Sequence, residues 1–229
     1  MNIKPVIETA LNLIKPNMTI SLGGGSNVAQ LAKSLSDRKK LNLTFCTPSQ
    51  ETKKLCEHLG LTITPISNIS KIDLAFDGCD AIDYRLNALK SNGGIHLFEK
   101  LYAYQAAEYI ILTPINRFTP TLNTKIPLTV EVVFAAADYT LNYLEKLGYH
   151  CSLRYDKEHN DFFKTPLNNL LIDCYAKDWS DIQHIATEIE EIAGVVATSY
   201  FNNLVTMALT FSPDGKVKPL RKDDIYDKL

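Results

Sequence analysis

An alternation between two hydrophobic periods constrains this chain more than any other feature. From Ile3 to about residue 130, short β-branched runs alternate with segments of helical spacing. Ile3, Val6, Ile7, Ala10, Leu11 and Ile14 recur on one helical face, and Pro16 ends that helix. Met18–Leu22 reads as a strand, Gly23–Gly25 as a turn, and Ser26 as the N-cap of a helix carrying Val28, Leu31, Ala32 and Leu35. Leu43–Cys46 and Thr62–Ile66 read as strands flanking a helix over 49–59. The run Ile72–Phe76 is apolar apart from Asp73, the character of a strand buried on both faces. A helix from about Gly94 to Glu108 leads to a strand at Tyr109–Leu112. Strands joined by helical crossovers pair in parallel, so this half predicts an α/β architecture. Its core is a Rossmann-like, mostly parallel sheet with helices on both faces.

Beyond residue 128 the pattern changes. Val130–Phe134, Cys151–Tyr155 and Leu170–Tyr175 read as strands, and helices fall over 136–148 and 178–193. The polar stretch 156–169 reads as a hairpin or loop; Val195–Phe201 and Val205–Phe211 read as strands around an Asn202–Asn203 turn. Strand-helix-strand-strand-helix-strand is the order of a small ferredoxin-like α+β sandwich. The expected division is a Rossmann-like domain from 1–127 plus 202–229, with a smaller α+β domain at 128–201. The tail from Lys218 reads as charged and solvated.

Charge narrows the range of partners. Lys plus Arg number 24 against 26 Asp plus Glu, so nothing supports a general nucleic-acid or membrane-surface role. No apolar run approaches the ~18 residues of a membrane helix, and the first ten residues lack a signal-peptide core. Cys46, Cys56, Cys79, Cys151 and Cys174 are scattered and odd in number, which reads as reduced thiols in a cytoplasmic protein. The five histidines show no ligand spacing, so no metal site is expected.

Two places are equipped for chemistry. In the first, Gly23-Gly24-Gly25-Ser26-Asn27 turns between a strand and a helix, where backbone N–H groups and the helix N-terminus can face an anion. The third glycine of a dinucleotide fingerprint would fall at Val28, and no P-loop lysine follows Gly25. A small phosphate or carboxylate fits this turn; so does a purely structural bend. In the second, Asp77-Gly78-Cys79-Asp80 follows the most apolar strand, at the carboxyl end where open α/β sheets carry ligands. Lys90-Ser91-Asn92-Gly93-Gly94 comes next, and then Glu99 among Ile95, Leu97, Phe98 and Leu101. A carboxylate in apolar company suits a general base working near neutral pH, although a surface glutamate paired with a lysine has the same local sequence.

The segment from Asp77 to Lys100 resembles the signature of type A ribose-5-phosphate isomerases. That signature has Asp-Gly-Ala-Asp, a lysine ten residues after the second aspartate, a glycine run, and Glu-Lys nine residues after the lysine. Here Asp80 to Lys90 is ten residues and Lys90 to Glu99 is nine. SLGGGSN is similar to the family's phosphate loop, IPLTVEVV to its Phe-Pro-Leu-Pro-Val-Glu-Val segment, and GVVATSYF and LTFSPDGKV to its closing strands. The resemblance implies interconversion of ribose 5-phosphate and ribulose 5-phosphate through an enediolate, with no cofactor. It implies Glu99 as base, Lys90 and the Gly93 and Gly94 amides as oxyanion stabilisers, Asp77 as hydroxyl proton carrier, and Asp80 on substrate hydroxyls. Gly24, Gly25, Ser26 and Asn27 would hold the phosphate, with Gly78, Cys79, Ser91 and Asn92 completing the substrate site. A homodimer or homotetramer is implied as well.

The sequence also departs from the family pattern. Gly24 and Asn27 replace two loop threonines, Ala81 replaces a glutamate, and Ser91-Asn92 interrupts the glycine run. Thr113-Pro114-Ile115-Asn116-Arg117 stands where the family has Asp-x-Ser-Lys, and Arg117 does not match that lysine position for position. The family's Asp-Asn-Gly-Asn is lost near Thr165-Pro166-Leu167-Asn168. A non-catalytic sugar-phosphate sensor is therefore the alternative. The retained Asp77, Asp80, Lys90 and Glu99 oppose it, because a sensor needs no base.

Overall fold

The computed structural model describes residues 2–222. The first half runs α1 (Lys4–Leu13), β1 (Thr19–Leu22), α2 (Ser26–Ser36), β2 (Thr44–Cys46), α3 (Gln50–His58) and β3 (Ile72–Asp77). It continues through β4 (Ala81–Asp83), β5 (Ala88–Leu89), α4 (His96–Gln105), β6 (Ala106–Pro114) and β7 (Phe118–Thr119). Then come β8 (Leu128–Val132), α5 (Ala137–Lys146), β9 (His150–Leu153), β10 (Tyr155–Asp156), β11 (Asp161–Phe162) and β12 (Leu170–Tyr175). The chain closes with α6 (Ile182–Glu190), β13 (Val195–Thr198), β14 (Tyr200–Phe201), β15 (Met207–Phe211) and β16 (Val217–Arg221).

The principal sheet has the order β16-β15-β6-β3-β1-β2, parallel except where β16 runs against β15. On one face, Val6, Ala10 and Leu11 of α1 and Val28, Leu31 and Leu35 of α2 pack against Ile20, Leu22, Phe76 and Ile110. On the other, Tyr102 and Ala103 of α4 join Ile72, Ala75, Ile111 and Phe201. The helices on both faces thus bury their apolar stripes on the sheet. After β1 the chain crosses to β2 on one side, whereas β3 lies on the other, so β1 and β3 flank a topological switch point. The loops after their carboxyl ends open there into a crevice of the kind that binds ligands.

A second sheet, order β13-β8-β12-β9, is antiparallel throughout. With α5 and α6 packed on it around Leu144, Trp179, Ile182 and Ile189, it has ferredoxin-like connectivity. A third small sheet, β14-β5-β4-β7, is made of short strands from the segments that connect the larger ones, and β10 and β11 form a hairpin.

Several local expectations change. Thr62–Ile66 forms only a single bridge, Phe45 to Ile63, before a 3₁₀ turn at Ile66–Asn68, because polar Thr62 and Thr64 and Pro65 offer little to an edge ladder. The helix expected over 94–108 ends at Gln105, and β6 takes up Ala106 onward. The run Val195–Phe201 splits at Ser199 into strands of two different sheets. The Asn202–Asn203 segment accordingly makes no hairpin: β14 pairs with β5, and β15 pairs with β6 and β16. The start of the charged tail is not free, since Val217–Arg221 is the edge strand β16; the tail from residue 223 lies outside the described residues. Finally, Ser26 is not the N-cap of α2. Gly25 holds that position at φ 92°, and no side chain caps the helix.

Candidate active site

The floor of the crevice is built from three buried charges. Asp77 ends β3, Lys90 follows β5, and Glu99 sits in the first turn of α4; their exposures are 2%, 6% and 5%. Lys90 Nζ lies 3.0 Å from Asp77 Oδ1 and 3.2 Å from Glu99 Oε1, and it also donates to the Gly78 carbonyl. An ammonium has three donors, and all three are spoken for. The remaining Asp77 bonds come from Gly24 N–H (3.2 Å) and Gly78 N–H (2.7 Å) onto Oδ1, and from the Tyr109 hydroxyl onto Oδ2 (2.8 Å). A Cβ on Gly23 would stand 2.2 Å from Asp77 Cγ, so glycine there is a condition for placing this carboxylate.

These contacts set the electrostatics. Two carboxylates share one ammonium, so the fully ionised cluster carries a surplus negative charge in a desolvated place. Burial pushes the Glu99 carboxyl up to about 8 against the pull of Lys90, with Asp77 adding to the rise. Burial opposes the charge on Lys90 too, but Asp77 and Glu99 outweigh it and hold its pKa above the ordinary lysine value. Cys79 has its thiol pushed up to about 12 by burial, so it is no nucleophile; it points at the Thr113 hydroxyl, 3.7 Å away.

Asp80 organises the next loop. Its Oδ2 accepts from Ser91 N–H (2.7 Å) and Asn92 N–H (2.9 Å), and its Oδ1 from the Asn92 side-chain amide (2.7 Å). Gly93 reaches the crevice. Ser91 does not: it is fully buried, with its hydroxyl donating to the Pro127 carbonyl at 2.6 Å and lying 3.0 Å from the Ser199 hydroxyl. Its role is to tie the loop to the small sheet. Gly94, which the resemblance placed with the oxyanion donors, does not line the crevice either, since the Phe163 ring covers it.

Gly24, Gly25, Ser26 and Asn27 line the far wall, at the uncapped start of α2. The Asn27 amide donates to the Leu112 carbonyl (3.2 Å), so part of its donor capacity is spent holding α2 to β6. Gly24 has no positive φ, and a Cβ there would meet nothing nearer than Glu99 Oε1 at 4.0 Å. The crevice has a volume of about 810 Å³. Arg117 lines it as well, with Nη1 donating to the Cys79 carbonyl. Sequence reasoning passed over Tyr109, Phe163 and Pro166. For Tyr109 a signal existed, since a tyrosine inside an apolar strand must find a partner for its hydroxyl. For Pro166 the lost Asp-Asn-Gly-Asn of the family marked the segment; for Phe163, which reaches the crevice from the same long loop of the small sheet, there was no signal.

A family model described as ribose 5-phosphate isomerase A (phosphoriboisomerase A) matches residues 44–215. The chain belongs to this family. A ribose-5-phosphate isomerase A from Roseiflexus sp. (strain RS-1) is 34% identical over 215 residues, covering 92% of each chain. The ribose 5-phosphate isomerase A structure from Methanocaldococcus jannaschii superposes with a TM-score of 0.88 at 29% identity, over 96% of this chain and 97% of that one. A D-ribose-5-phosphate isomerase solved in complex with phospho-erythronic acid superposes at 0.91 with 26% identity, over 96% and 100%. As a ribose 5-phosphate isomerase A family member, this chain joins an enzyme family rather than a set of passive binders.

Proposed function

We propose that the protein interconverts D-ribose 5-phosphate and D-ribulose 5-phosphate through an enediolate. The observation that carries this reading is Glu99, buried and poised near neutrality, joined through Lys90 to Asp77 at the floor of a crevice. Glu99 takes the proton from C2 of the open-chain aldose, and the electron pair moves to form the C1–C2 double bond as charge develops on the C1 oxygen. The Gly93 amide meets that charge, with the buried Lys90 cation adding its field from the floor of the crevice, a preorganised stabilisation. Asp77 passes the hydroxyl proton between the C1 and C2 oxygens and assists ring opening. Glu99 then returns its proton to C1, leaving the ketose. Asp80, with three donors already on a carboxylate that offers about four lone-pair sites, keeps room for one substrate hydroxyl. The phosphate rests on the Gly25, Ser26 and Asn27 amides at the α2 N-terminus, the Gly24 N–H being held by Asp77, and the relative holding phospho-erythronic acid supports a phosphorylated ligand in this crevice.

Two domains, 1–127 with 202–229 and 128–201, share the work in this reading, and the protein acts in the cytoplasm as a homodimer or homotetramer. All five cysteines are unpaired, which supports the compartment. Exposed Phe134, Tyr139, Tyr143 and Leu147 support self-association.

The decisive test is turnover of ribose 5-phosphate by the wild type beside Glu99→Gln. Glutamine can still accept from Lys90, so folding and KM stay near wild type while kcat falls by roughly 10²–10⁴, the usual share of a general base. A Gln variant within a few-fold of wild-type kcat removes Glu99 from the mechanism. A wild type that binds the sugar phosphate without turning it over favours the sensor.

A further inference from the structure

Residues 90–93 carry groups assigned above to the developing oxyanion, and the layers beside them hold this loop at several points. Lys90 N–H donates to the Ser199 carbonyl (3.1 Å), and Ser91 is bonded to Pro127 and Ser199. A further contact comes from Arg154, just after β9, whose Nη1 donates to the Asn92 carbonyl at 3.3 Å. The rest of this guanidinium is fixed in place. Nε donates to Asp173 Oδ2 at 2.9 Å, Nη2 donates to Asp173 Oδ1 and to Thr129 Oγ1 (3.0 Å), and the Phe163 ring centre lies 5.9 Å away. A forked pairing of this kind sets both the position and the plane of the cation.

The Asn92 carbonyl and the Gly93 N–H belong to one peptide unit. A cation on the oxygen of a resonant amide draws electron density toward it and makes the N–H at the other end a stronger donor. Gly93 lines the crevice, and among the described residues its N–H has no protein acceptor. Arg154 itself is not among the crevice's lining residues.

We propose that Arg154 is a positioning residue of the isomerase: through the Asn92–Gly93 peptide it fixes and polarises the donor that meets the enediolate oxygen. The inference rests on the isomerase reading. Because the charge on that oxygen develops in the transition state, the contribution of Arg154 falls on kcat rather than on substrate binding.

The test is steady-state kinetics with ribose 5-phosphate on the wild type, on Arg154→Lys, and on the double variant Arg154→Met with Asp173→Leu. The double variant removes both charges, so no buried carboxylate is left alone, and lysine keeps the charge without the fork. Circular dichroism and Tm establish folding. In the folded double variant kcat should fall about tenfold, a fraction of the loss from deleting an oxyanion donor outright, with KM within about twofold. Arg154→Lys should recover part of that loss, and the acid limb of the kcat/KM profile should stay where it is in the wild type. A folded double variant with wild-type kcat overturns the proposal, as does a raised KM with kcat unchanged. If the double variant does not fold, Arg154→Lys decides alone, and wild-type kcat in it overturns the proposal. Absence of turnover in the wild type would remove the isomerase reading and this inference together, whereas normal wild-type turnover beside an unaffected variant removes the inference alone.

Discussion

At the scale of single residues, the site is a problem in charge accounting. Lys90 cannot neutralise both Asp77 and Glu99, and the shortfall settles on Glu99, the carboxyl raised by burial to about 8. Asp77 is the better served of the two, with two backbone N–H groups and the Tyr109 hydroxyl on its oxygens. The sign of the pH dependence follows. A base must be deprotonated to act, so kcat/KM, which reports the free enzyme, rises with pH through about 8 and levels off above it. Lys90, held above its ordinary value, stays charged across that range. A profile measured from pH 5.5 to 9.5 checks this, and a flat kcat/KM between pH 6 and 9 would sink the assignment of Glu99. Much of this was legible: the carboxylate among apolar neighbours flagged a raised pKa. That Lys90 spends all three donors within the protein was not, because two of its acceptors, Asp77 and Gly78, lie on another loop.

At the scale of elements, the start of α2 shows how one glycine turn divides its labour. Gly23 clears room for Asp77, Gly25 supplies the left-handed backbone that opens the helix without a side-chain cap, and Gly24 has neither duty. Gly24 is therefore the place where a hydroxyl can be added at little conformational cost. We expect Gly24→Thr to lower KM for ribose 5-phosphate by about tenfold with kcat little changed, since a hydrogen bond to a charged group contributes ~1.5–3 kcal/mol. Gly25→Thr should do the opposite, because a β-branched residue at φ 92° is strained. Michaelis curves for the two variants, with ribose lacking the phosphate as a control, check the pair. An unchanged KM in a folded Gly24→Thr protein, or equal turnover of plain ribose, would place the phosphate elsewhere.

At the scale of the whole molecule, the crevice belongs to two sheets. The parallel sheet supplies Asp77 and the glycine turn. The antiparallel sheet supplies Phe163 and Pro166 through a loop anchored on the buried Glu131, whose Oε1 accepts from Thr165 Oγ1 and from Asn169 Nδ2, both at 2.8 Å. Phe163 packs so closely over Gly94 that a Cβ there would stand 2.5 Å from the ring. Thr165→Val keeps the shape of the side chain and removes its hydroxyl from a buried carboxylate. Stability should fall by about 1–3 kcal/mol, and KM should rise as the loop loosens over the crevice. Urea unfolding together with kinetics would show it; a variant as stable as wild type with unchanged KM would mean that Glu131 does not anchor this wall.

The sequence by itself determined what depends on near neighbours. The alternation of periods 3.6 and 2 gave the α/β class, the buried character of Ile72–Phe76 and the ferredoxin-like order beyond residue 128. The ten- and nine-residue spacings carried the family resemblance, and that resemblance implied Asp80, Lys90 and Glu99 as one constellation. Tertiary structure alone decided matters that turn on distant partners. Thr62–Ile66 has strand-like residues but one bridging contact, and Val195–Phe201 reads as one strand yet serves two sheets. Ser91 stands in a ligand-like motif, but its hydroxyl is claimed by Pro127 and Ser199, 36 and 108 residues away. Periodicity reports which face of an element is apolar. Which buried polar group meets which is fixed only when the layers pack, because an unpaired donor or acceptor there costs too much to leave unmatched.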